Sequence, residues 1–543
     1  MKRRWLVLGC AGVLGCSAGG GDGGDAGPTT DDAGNVATND ASTASDANAT
    51  SDGGASDASI GDGGGVSSSG VTASPTFGMT VNTTSKYPSV SYGSQRIWDS
   101  PPFQWATMQT ADCSDVSTCA NGYDAGNLQA FDAYLAQLKT NGVSDVWYTM
   151  ARTPHFATSA PSDANCNYSG SNQGGLGQCD RPSDLAADGT GTNLYFRKWY
   201  AFFAKRLNDP TYLTTHAHVR YWEPWNEPDT QAFWGDGSGG HGSYDALVRL
   251  MQDTECLIVG SVGTGKITKT GETCAQVQAS VGLSGPIDAT AIVVSPSYHA
   301  KTASLSQYQN FLYCNNSPSV SCTSGDAGAK SIMAFNLHMK PGAECVANGS
   351  STNCTTASSV EPSYAAYIKS FEGILQTAEL DAFHAGSAPL FDGEASYSPT
   401  GFVAPFDDQD MAASWVTRFF LYGRSLGVMA NQWYTWDEVS GNKKVTTAWD
   451  TLYDAWVGAD SATCSNTGTI YTCSFTKNGA SFEAIWDTSQ SCSSGTCTTA
   501  NQSVDGSWKT YRDLTGTATS CVSACNVSNG QVPVGIKPVL LSQ

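Results

Sequence analysis

The chain has 543 residues, a formal net charge of −21 and only 14% charged residues. This acidic balance excludes the basic footprint of a nucleic-acid-binding protein, so no nucleic-acid partner is expected. Its 18 cysteines are too many for a reducing cytoplasm and are typical of an oxidising compartment. The length would hold three or four domains of about 150 residues, or one large barrel with smaller additions.

Residues 1–16 have the pattern of a bacterial lipoprotein signal. Three basic residues at positions 2–4 precede an apolar stretch at 5–14, which is too short to span a bilayer. Cys16 ends a Val-Leu-Gly-Cys sequence that resembles a lipoprotein processing box, and cleavage there leaves an even number of 16 further cysteines. Cleavage before Cys10 would leave an odd number of cysteines, so that one would have no partner. We therefore predict an extracytoplasmic lipoprotein whose only membrane contact is a lipid on Cys16; ordinary secretion is the alternative.

Residues 17–74 have a very different composition from the rest of the chain. They are almost entirely Gly, Ala, Asp, Ser, Thr and Asn, with nine Asp and no Glu, Lys, Arg or aromatic residue. Such a segment cannot bury enough apolar surface to offset the entropy of ordering it. We predict a disordered tether.

From residue 75 onward, strand and helix patterns alternate. Strands are predicted at 76–82, 92–98, 144–150, 218–222, 289–295, 331–338, 389–392 and 428–434. Helices are predicted between an Asn127 cap and Gly142, and at 193–207, 244–257, 307–313, 363–380, 411–425 and 446–456. Eight strands that are each followed by helical sequence predict a parallel (β/α)₈ TIM barrel over residues 75–458. An open doubly wound sheet is the alternative, but no Gly-rich phosphate loop follows an early strand.

The pattern changes after residue 458. Short alternating runs such as 481–486 and 534–541 are separated by turn residues and closely spaced cysteines. Residues 459–543 are therefore predicted to form a small all-β sandwich.

Two glutamates stand at the ends of predicted strands. The fourth strand runs into Trp-Glu-Pro-Trp-Asn-Glu-Pro at 222–228, and the seventh ends in Leu-Phe-Asp-Gly-Glu at 390–394. A barrel would bring Glu227 and Glu394 together at its active face, although they are 167 residues apart. Glycoside hydrolysis needs such a pair, one carboxylic acid and one carboxylate, and a separation of about 5–5.5 Å gives retention of configuration.

The sequence around Glu227 resembles a known enzyme signature. Residues 225–228, Trp-Asn-Glu-Pro, resemble the Asn-Glu-Pro motif of clan A glycoside hydrolases. The Phe-Gly at 77–78, the Arg-Ile-Trp-Asp at 96–99 and the Thr-Pro at 153–154 are most similar to family 39-like members. The resemblance extends over about residues 75–456.

This resemblance implies roles for individual residues. Glu227 would be the acid/base, Glu394 the nucleophile, and Asn226 a hydrogen-bond donor to the sugar 2-OH. The last bond would strengthen as the oxocarbenium-like transition state forms. Family 39-like chains often carry Trp two residues after the Thr-Pro pair, where this chain has Phe156 preceded by His155. Because Phe offers a smaller stacking face and His155 adds a titratable group, the family's substrate preference does not carry over.

Further residues are candidates for substrate binding. Arg96 would either hold Glu394 ionised or form an interior salt bridge with Glu223, which we interpret as a barrel-interior partner rather than the acid. His338, at the end of the sixth strand, would hydrogen-bond the nucleophile or a sugar hydroxyl. Aromatic platforms for a sugar ring are predicted at Trp433 and Trp436, with Trp98, Trp225 and Trp234 as further walls and His155 beside them.

The 16 remaining cysteines fall into close neighbours along the chain. Eight local disulfides are the simplest connectivity: 113/119, 166/179, 256/274, 314/322, 345/354, 464/473, 492/497 and 521/525. No Cys–His spacing typical of a metal site is present, so neither a metal nor a cofactor is expected.

The sequence therefore predicts a retaining glycoside hydrolase. It would cleave O-glycosidic bonds of a poly- or oligosaccharide by double displacement with two glutamates, as a monomer and without a cofactor. The alternatives are a non-catalytic carbohydrate-binding surface lipoprotein and a transglycosylase that uses the same carboxylates. The sugar, the linkage and endo or exo action stay open.

Overall fold

The structure is a computed structural model. It describes residues 74–82, 84, 86–98, 101–113, 122–167, 174–314, 322, 328–340, 360–396, 408–460, 462–517, 521 and 523–543. All of these belong to one compact unit, residues 62–543. The predicted signal, Cys16 and nearly all of the predicted tether lie outside the described residues.

A curled parallel sheet of nine strands forms the centre of the fold. Its strands are β1 (Phe77–Thr80), β2 (Ser94–Ile97), β3 (Asp145–Thr149), β4 (His218–Glu223), β5 (Ile292–Val293), β6 (Tyr298–His299), β7 (Phe335–His338), β8 (Leu390–Ala395) and β9 (Val428–Tyr434). They pair in the order β5-β4-β3-β2-β1-β9-β8-β7-β6. The strand direction and the alternation with helices are as predicted.

The predicted closed barrel is only partly confirmed, because the ladder does not close. The fifth strand, predicted at 289–295, is the short β5, and a second short strand that was not predicted, β6, follows it after Pro296. Proline has no backbone N–H to donate to a ladder, so it interrupts pairing. Across this gap a single isolated parallel bridge joins Val294 to Ala334, just before β7.

Helices follow the strands. They are α1 (Trp105–Met108), α2 (Ala125–Thr140), α3 (Leu194–Leu207), α4 (Pro210–Leu213), α5 (Tyr244–Ile258), α6 (Cys274–Ala279), α7 (Thr302–Tyr313), α8 (Val360–Glu372), α9 (Thr377–His384), α10 (Gln409–Ser425), α11 (Trp436–Val439) and α12 (Lys443–Trp456). Short 3₁₀ turns occupy Ser74–Thr76, Pro101–Phe103 and Gly328–Ser331.

Two predicted helix boundaries are wrong. Asp124, not Asn127, caps α2: its carboxylate accepts a hydrogen bond of 2.8 Å from the backbone N–H of Asn127. Asp is as good a cap as Asn, and it stands three residues earlier. The predicted single helix at 363–380 is two helices, α8 and α9, because the chain turns after Glu372 at Gly373.

Side chains from the two faces of the sheet enter different environments. Inside the curl, Trp147, Tyr221 and Phe391 contact one another together with Val294, Ala334 and Ala430. The opposite face packs against the helices in one large apolar core. This two-sided burial is typical of parallel sheets covered by helices, and it leaves the carboxyl ends of the strands for polar residues.

Beyond α12 the chain is all-β, as predicted. The strands are β10 (Thr463–Thr467), β11 (Ile470–Lys477), β12 (Ala480–Asp487), β13 (Cys492–Ser493), β14 (Thr496–Cys497), β15 (Thr499–Ser503), β16 (Thr510–Asp513), β17 (Cys525–Asn526), β18 (Gln531–Gly535) and β19 (Val539–Ser542). Six of them form an antiparallel sheet in the order β10-β11-β12-β19-β16-β17. The β15–β18 pair packs Val532 and Val534 against Ile485 and Leu541 of that sheet.

Polar contacts join the C-terminal sheets to the helices around the parallel sheet. Glu361 of α8 accepts from Arg418 of α10 at 2.7 Å and from the indole of Trp486 of β12 at 2.8 Å. The hydroxyl of Ser414 donates to the carbonyl of Ile536 at 2.7 Å. All five residues are fully buried.

Six of the eight predicted disulfides are confirmed. They join Cys166–Cys179, Cys256–Cys274, Cys314–Cys322, Cys464–Cys473, Cys492–Cys497 and Cys521–Cys525. Cys113 is also disulfide-bonded, but its predicted partner Cys119 and the 345/354 pair lie outside the described residues. None of the helices in the described part of the chain combines the length and hydropathy of a membrane span.

Candidate active site

Glu227 lies four residues past the end of β4, in a turn with an unusual backbone conformation. Its φ is +41°, in the left-handed region that residues other than glycine seldom adopt. Its backbone N–H donates to the hydroxyl of Ser297 at 3.1 Å, which helps hold the turn. Strained backbone of this kind is concentrated at functional sites, where the surrounding structure pays its cost.

Glu394 reaches the same site through an irregularity in β8. Phe391 faces the inside of the curl, and on a regular strand a residue three positions later would face outward. The pairing with β9 shifts between Asp392 and Ala395, and such a shift reverses the side on which the following side chains lie. As a result, Glu394 also points inward.

The two glutamates face one another closely. A carboxylate oxygen of Glu227, one of Glu394 and a ring nitrogen of His338 all lie within 4.8 Å of one another. Both glutamates are buried. This separation matches the short spacing of a nucleophile and an acid/base, and it is below the roughly 6.5–9.5 Å that leaves room for an attacking water between them.

Cations surround Glu394. Its Oε1 accepts from Arg96 at 2.9 Å, and its Oε2 accepts from the ammonium of Lys340 at 3.2 Å. The ring Nδ1 of His338 is 3.6 Å from Oε2. Burial by itself would raise the pKa of Glu394, as does the nearby charge of Glu227, but His338, Lys340 and Arg96 together lower it below its ordinary value. Glu394 is therefore held as a carboxylate, the form that a nucleophile needs.

Arg96 makes both of the contacts that the sequence left as alternatives. Its Nε donates to Glu223 at 3.0 Å while Nη1 donates to Glu394, and Nη2 donates to the amide oxygen of Asn226 at 2.5 Å. Glu223 also accepts from Thr149 and is completely buried. It is thus an interior partner, as predicted, and one guanidinium links it to the nucleophile candidate and to the motif asparagine.

Glu227 is held by two histidines rather than by an arginine. Its Oε1 lies 2.6 Å from Nδ1 of His338 and 3.0 Å from Nε2 of His299. The other ring nitrogen of His299 lies 2.8 Å from a carboxylate oxygen of Asp229. Burial by itself would raise the pKa of Glu227, but the two histidines bring it well below its ordinary value.

Asn226 has an unused donor. Its side-chain oxygen accepts from Arg96 and, at 3.4 Å, from Ser297. Its amide Nδ2 is buried and has no hydrogen-bond partner among the described residues. A buried donor without a partner is costly, and this one adjoins the two carboxylates, so it is placed to bind a polar ligand.

Trp433, predicted as a stacking platform, instead lies in the core. It is 0% exposed and packs against the rings of Trp415, Phe419 and Trp449 on the helical side of the sheet. Because side chains alternate along β9, its neighbour Tyr434 takes the inner face. The ammonium of Lys340, which binds Glu394, lies 5.0 Å from the centre of the Tyr434 ring. Tyr434 therefore occupies the face of the sheet where Trp433 was expected.

The other predicted aromatic walls are buried too. Trp98 packs edge-on against Phe233, and the guanidinium of Arg152 lies over both rings. Trp225 donates to the carbonyl of Phe233 at 2.7 Å and packs against Trp234. These indoles expose almost no face for a sugar ring, and Trp436 is equally buried.

His155 is not part of this arrangement. It is exposed, and its Nδ1 lies 3.1 Å from the carbonyl of Leu176 within the loop that follows β3. Three residues of the site, His299, Lys340 and Asp229, were not predicted from the sequence. A signal was present for two of them: His299 lies shortly after the predicted fifth strand, and Lys340 has the same parity as His338 two residues earlier.

Two groups in the described part of the chain have metal-like geometry. In the first, Asp163 and Asp180 adjoin Cys166 and Cys179, but these sulfurs are joined in a disulfide and are not thiolates. The second is the site itself, where Arg96 and Lys340 already balance the charge of Glu394. That donor set suits acid–base chemistry better than a divalent ion.

Comparisons with known proteins find similar solved structures only. No protein-family model matches the chain, and no curated protein does. A family 39 glycoside hydrolase from the gut symbiont Bacteroides cellulosilyticus WH2 is similar at 12% identity and a TM-score of 0.46, over 83% of this chain and 75% of that one. CelM2, a bifunctional glucanase-xylanase from a metagenome library, is similar at 11% identity and a TM-score of 0.48, over 87% and 96%.

A third similar structure is Cel44A, a family 44 endoglucanase from Clostridium thermocellum. It has 10% identity and a TM-score of 0.46, over 86% of this chain and 96% of that one. Glycoside hydrolases of families 39, 30 and 44 are among the solved structures that match, and this is the class that the Asn-Glu-Pro motif predicts.

Proposed function

We propose that the protein is a retaining glycoside hydrolase with Glu227 as acid/base and Glu394 as nucleophile. The observation that carries the proposal is the approach of two buried carboxylates within 4.8 Å at the carboxyl ends of a parallel sheet. Their different surroundings support this assignment of roles. Arg96 and Lys340 keep Glu394 anionic, whereas Glu227 faces two histidines with which it can exchange a proton.

In the first step, Glu394 attacks the anomeric carbon while Glu227 gives a proton to the glycosidic oxygen. The bond from the anomeric carbon to the leaving oxygen breaks, and a glycosyl–Glu394 ester forms. In the second step, Glu227 takes a proton from water, the water oxygen bonds to the anomeric carbon, and Glu394 leaves. Two inversions give net retention.

Asn226 and Tyr434 complete the proposed sugar site. The buried, unpartnered Nδ2 of Asn226 would donate to the sugar 2-OH, a contact that strengthens as positive charge develops on the ring. Tyr434 would provide the apolar surface beside the reacting ring that was predicted for Trp433. Arg96 and His338 position the two carboxylates.

The test is hydrolysis of a panel of aryl β-glycosides and polysaccharides by the wild type, Glu227→Gln and Glu394→Gln. We expect each variant to fold and to lose activity by about 10²–10⁴-fold or more, because each lacks a group that acts in the transition state. Glu372→Gln, in a partly exposed pair with His384, is the control and should keep full activity. NMR of the first-formed anomer tests retention, and full activity in either site variant would refute the assignment.

We also propose that the reaction takes place outside the cytoplasm. Six described disulfides favour an oxidising compartment, and the sequence motif at Cys16 favours a lipid anchor, as an alternative to secretion. Labelling with radioactive palmitate should mark the wild type and not Cys16→Ser. An unlabelled wild type found in the medium would support secretion instead.

A further inference from the structure

Three side chains form a continuous hydrogen-bonded row that begins at the acid/base candidate. Glu227 Oε1 lies 3.0 Å from His299 Nε2, and His299 Nδ1 lies 2.8 Å from Asp229 Oδ2. The side chain of Glu227 is 9% exposed, that of Asp229 is 2% exposed, and that of His299 is 23% exposed. His299 is therefore the member of the row that water reaches most easily.

Hydrogen-bond chemistry fixes which nitrogen of His299 can exchange a proton. An ionised carboxylate only accepts hydrogen bonds, so the contact with Asp229 requires a hydrogen on Nδ1. The remaining nitrogen, Nε2, faces Glu227. It either donates to a Glu227 carboxylate as an imidazolium or accepts from a protonated Glu227 as a neutral imidazole.

The second histidine at Glu227 has different surroundings. His338 is completely shielded from solvent, and its Nε2 has no hydrogen-bond partner among the described residues. Its Nδ1 faces both carboxylates, at 2.6 Å from Glu227 and 3.6 Å from Glu394. It is suited to orienting the pair rather than to exchanging protons with water.

We infer that His299, oriented by Asp229, stores the proton that Glu227 gives to the leaving group and takes a proton back after Glu227 has deprotonated the attacking water. In the resting enzyme His299 exchanges this proton with solvent. The inference rests on the proposed function and assigns positioning residues to it. The transfer is balanced: Nε2–H of the imidazolium breaks, O–H on Glu227 forms, and His299 becomes neutral with its hydrogen on Nδ1. When Glu227 recovers a proton from the attacking water, the reverse transfer restores the resting state.

The electrostatic surroundings of His299 support this role. Its neighbours are the carboxylates of Glu227 and Asp229 and the ring of His338, with Tyr244 and Tyr298 close to Asp229. Burial by itself would lower the pKa of His299, but the two carboxylates raise it to about 10. At neutral pH the resting pair therefore holds its proton on the histidine.

The dependence of kcat/KM on the leaving group distinguishes this role of His299 from a purely structural one. Glycosides of 2,4-dinitrophenol need no acid assistance to depart, whereas methyl or unsubstituted phenyl glycosides depend on it. We expect His299→Asn to lower kcat/KM by about tenfold or more for the poor leaving groups, with little change for the dinitrophenyl glycoside. The alkaline limb of the pH profile should move to lower pH. His384→Asn, in a surface pair with Glu372, is the control.

Asp229→Asn is a second variant, which keeps the histidine and removes the negative charge that faces its Nδ1. ¹⁵N NMR of the histidine rings should show a wild-type His299 imidazolium that deprotonates in alkaline solution, and at lower pH in Asp229→Asn. Equal losses for both leaving groups, unchanged kcat/KM, or a neutral His299 at pH 7 would each overturn the inference. A wild type that cleaves no glycoside would instead refute the proposed function, and the NMR titration would still report whether the pair shares a proton.

Discussion

Arg96 shows how much a single side chain determines in this site. It is completely buried, and three of its nitrogens contact Glu223, Glu394 and Asn226. A planar guanidinium has donors in fixed directions, so it sets the distances between its acceptors as well as their charge state. The nucleophile, the interior carboxylate and the motif amide are therefore aligned by one group.

We expect Arg96→Met to destabilise the protein by about 3–5 kcal/mol, because it leaves buried carboxylates without their cation. In the folded fraction, loss of the cation raises the pKa of Glu394, so the acidic limb of the activity profile should move to higher pH. Urea unfolding and a pH profile measure the two effects. Arg220→Met is the control: Arg220 is 43% exposed, 3.6 Å from Asp145, and should cost less than about 1 kcal/mol. An unshifted acidic limb would contradict the assigned role.

At the scale of single residues, site residues that belong to a sequence motif could be predicted, whereas those outside a motif could not. Glu227, Asn226 and Glu394 are predicted because they end strands in a recognisable pattern. His299 was not predicted because its strand, β6, has only two residues and follows Pro296. Its contact with Glu227 also depends on a turn whose φ no local sequence pattern gives. Trp433 was predicted on the wrong face of the sheet. Its place near a strand end is visible in the sequence, but the face on which its side chain lies depends on strand register.

Among the elements, β1 depends on a close approach to β9. A side chain at Gly78 would collide with the amide of Gln432. That amide accepts from the backbone N–H of Arg96 at 3.0 Å and donates to the hydroxyl of Ser94 at 2.7 Å. Glycine at this position therefore lets one glutamine tie β9 to β2 across β1.

We expect Gly78→Ala to cost about 1–3 kcal/mol of folding free energy, since the added methyl group must displace a well-bonded buried side chain. Because the displaced glutamine holds the strand of Arg96, kcat/KM should fall as well. Gly441→Ala is the control, since nothing lies within 4 Å of the position of its added atom. Thermal unfolding and kinetics of both variants test this prediction. Equal Tm values for the two variants would refute the packing argument.

Strand order and helix alternation follow from periodicity, and all eight predicted strands occur. The exceptions have local causes: Pro296 separates β5 from the unpredicted short strand β6, and a turn at Gly373 divides the predicted long helix. The shift in β8 that turns Glu394 inward has no sequence signature, because register is decided by pairing with a distant strand.

Across the whole molecule, two disulfides that close loops of similar length, Cys166–Cys179 and Cys256–Cys274, differ in how they connect to the site. Cys166 accepts from Arg152 through its carbonyl at 3.0 Å. Arg152 lies over Phe233, whose carbonyl binds Trp225 beside Asn226. The Cys256–Cys274 bridge instead joins α5 to α6. A series of contacts therefore connects the Cys166–Cys179 bridge to the Asn-Glu-Pro motif.

Replacing either bridge by two serines should cost about 3 kcal/mol, because the closed loops are comparable, with separations of 13 and 18 residues. Activity should separate the two variants. At temperatures well below its melting transition, the Cys166/Cys179 variant should have a reduced kcat/KM. The Cys256/Cys274 variant should retain the kcat/KM of the wild type. Similar losses in both would show that the bridges act through stability alone.

The shared carboxylate of Glu361 has a consequence for folding cooperativity. It accepts from Arg418 among the helices and from Trp486 in the C-terminal sheet, all three completely buried. A chain cut after α12 would lose the indole donor and uncover the apolar surface beneath it. Scanning calorimetry should therefore record one heat-absorption peak for both parts, and the C-terminal sheets should behave as part of a single melting unit rather than as a detachable module.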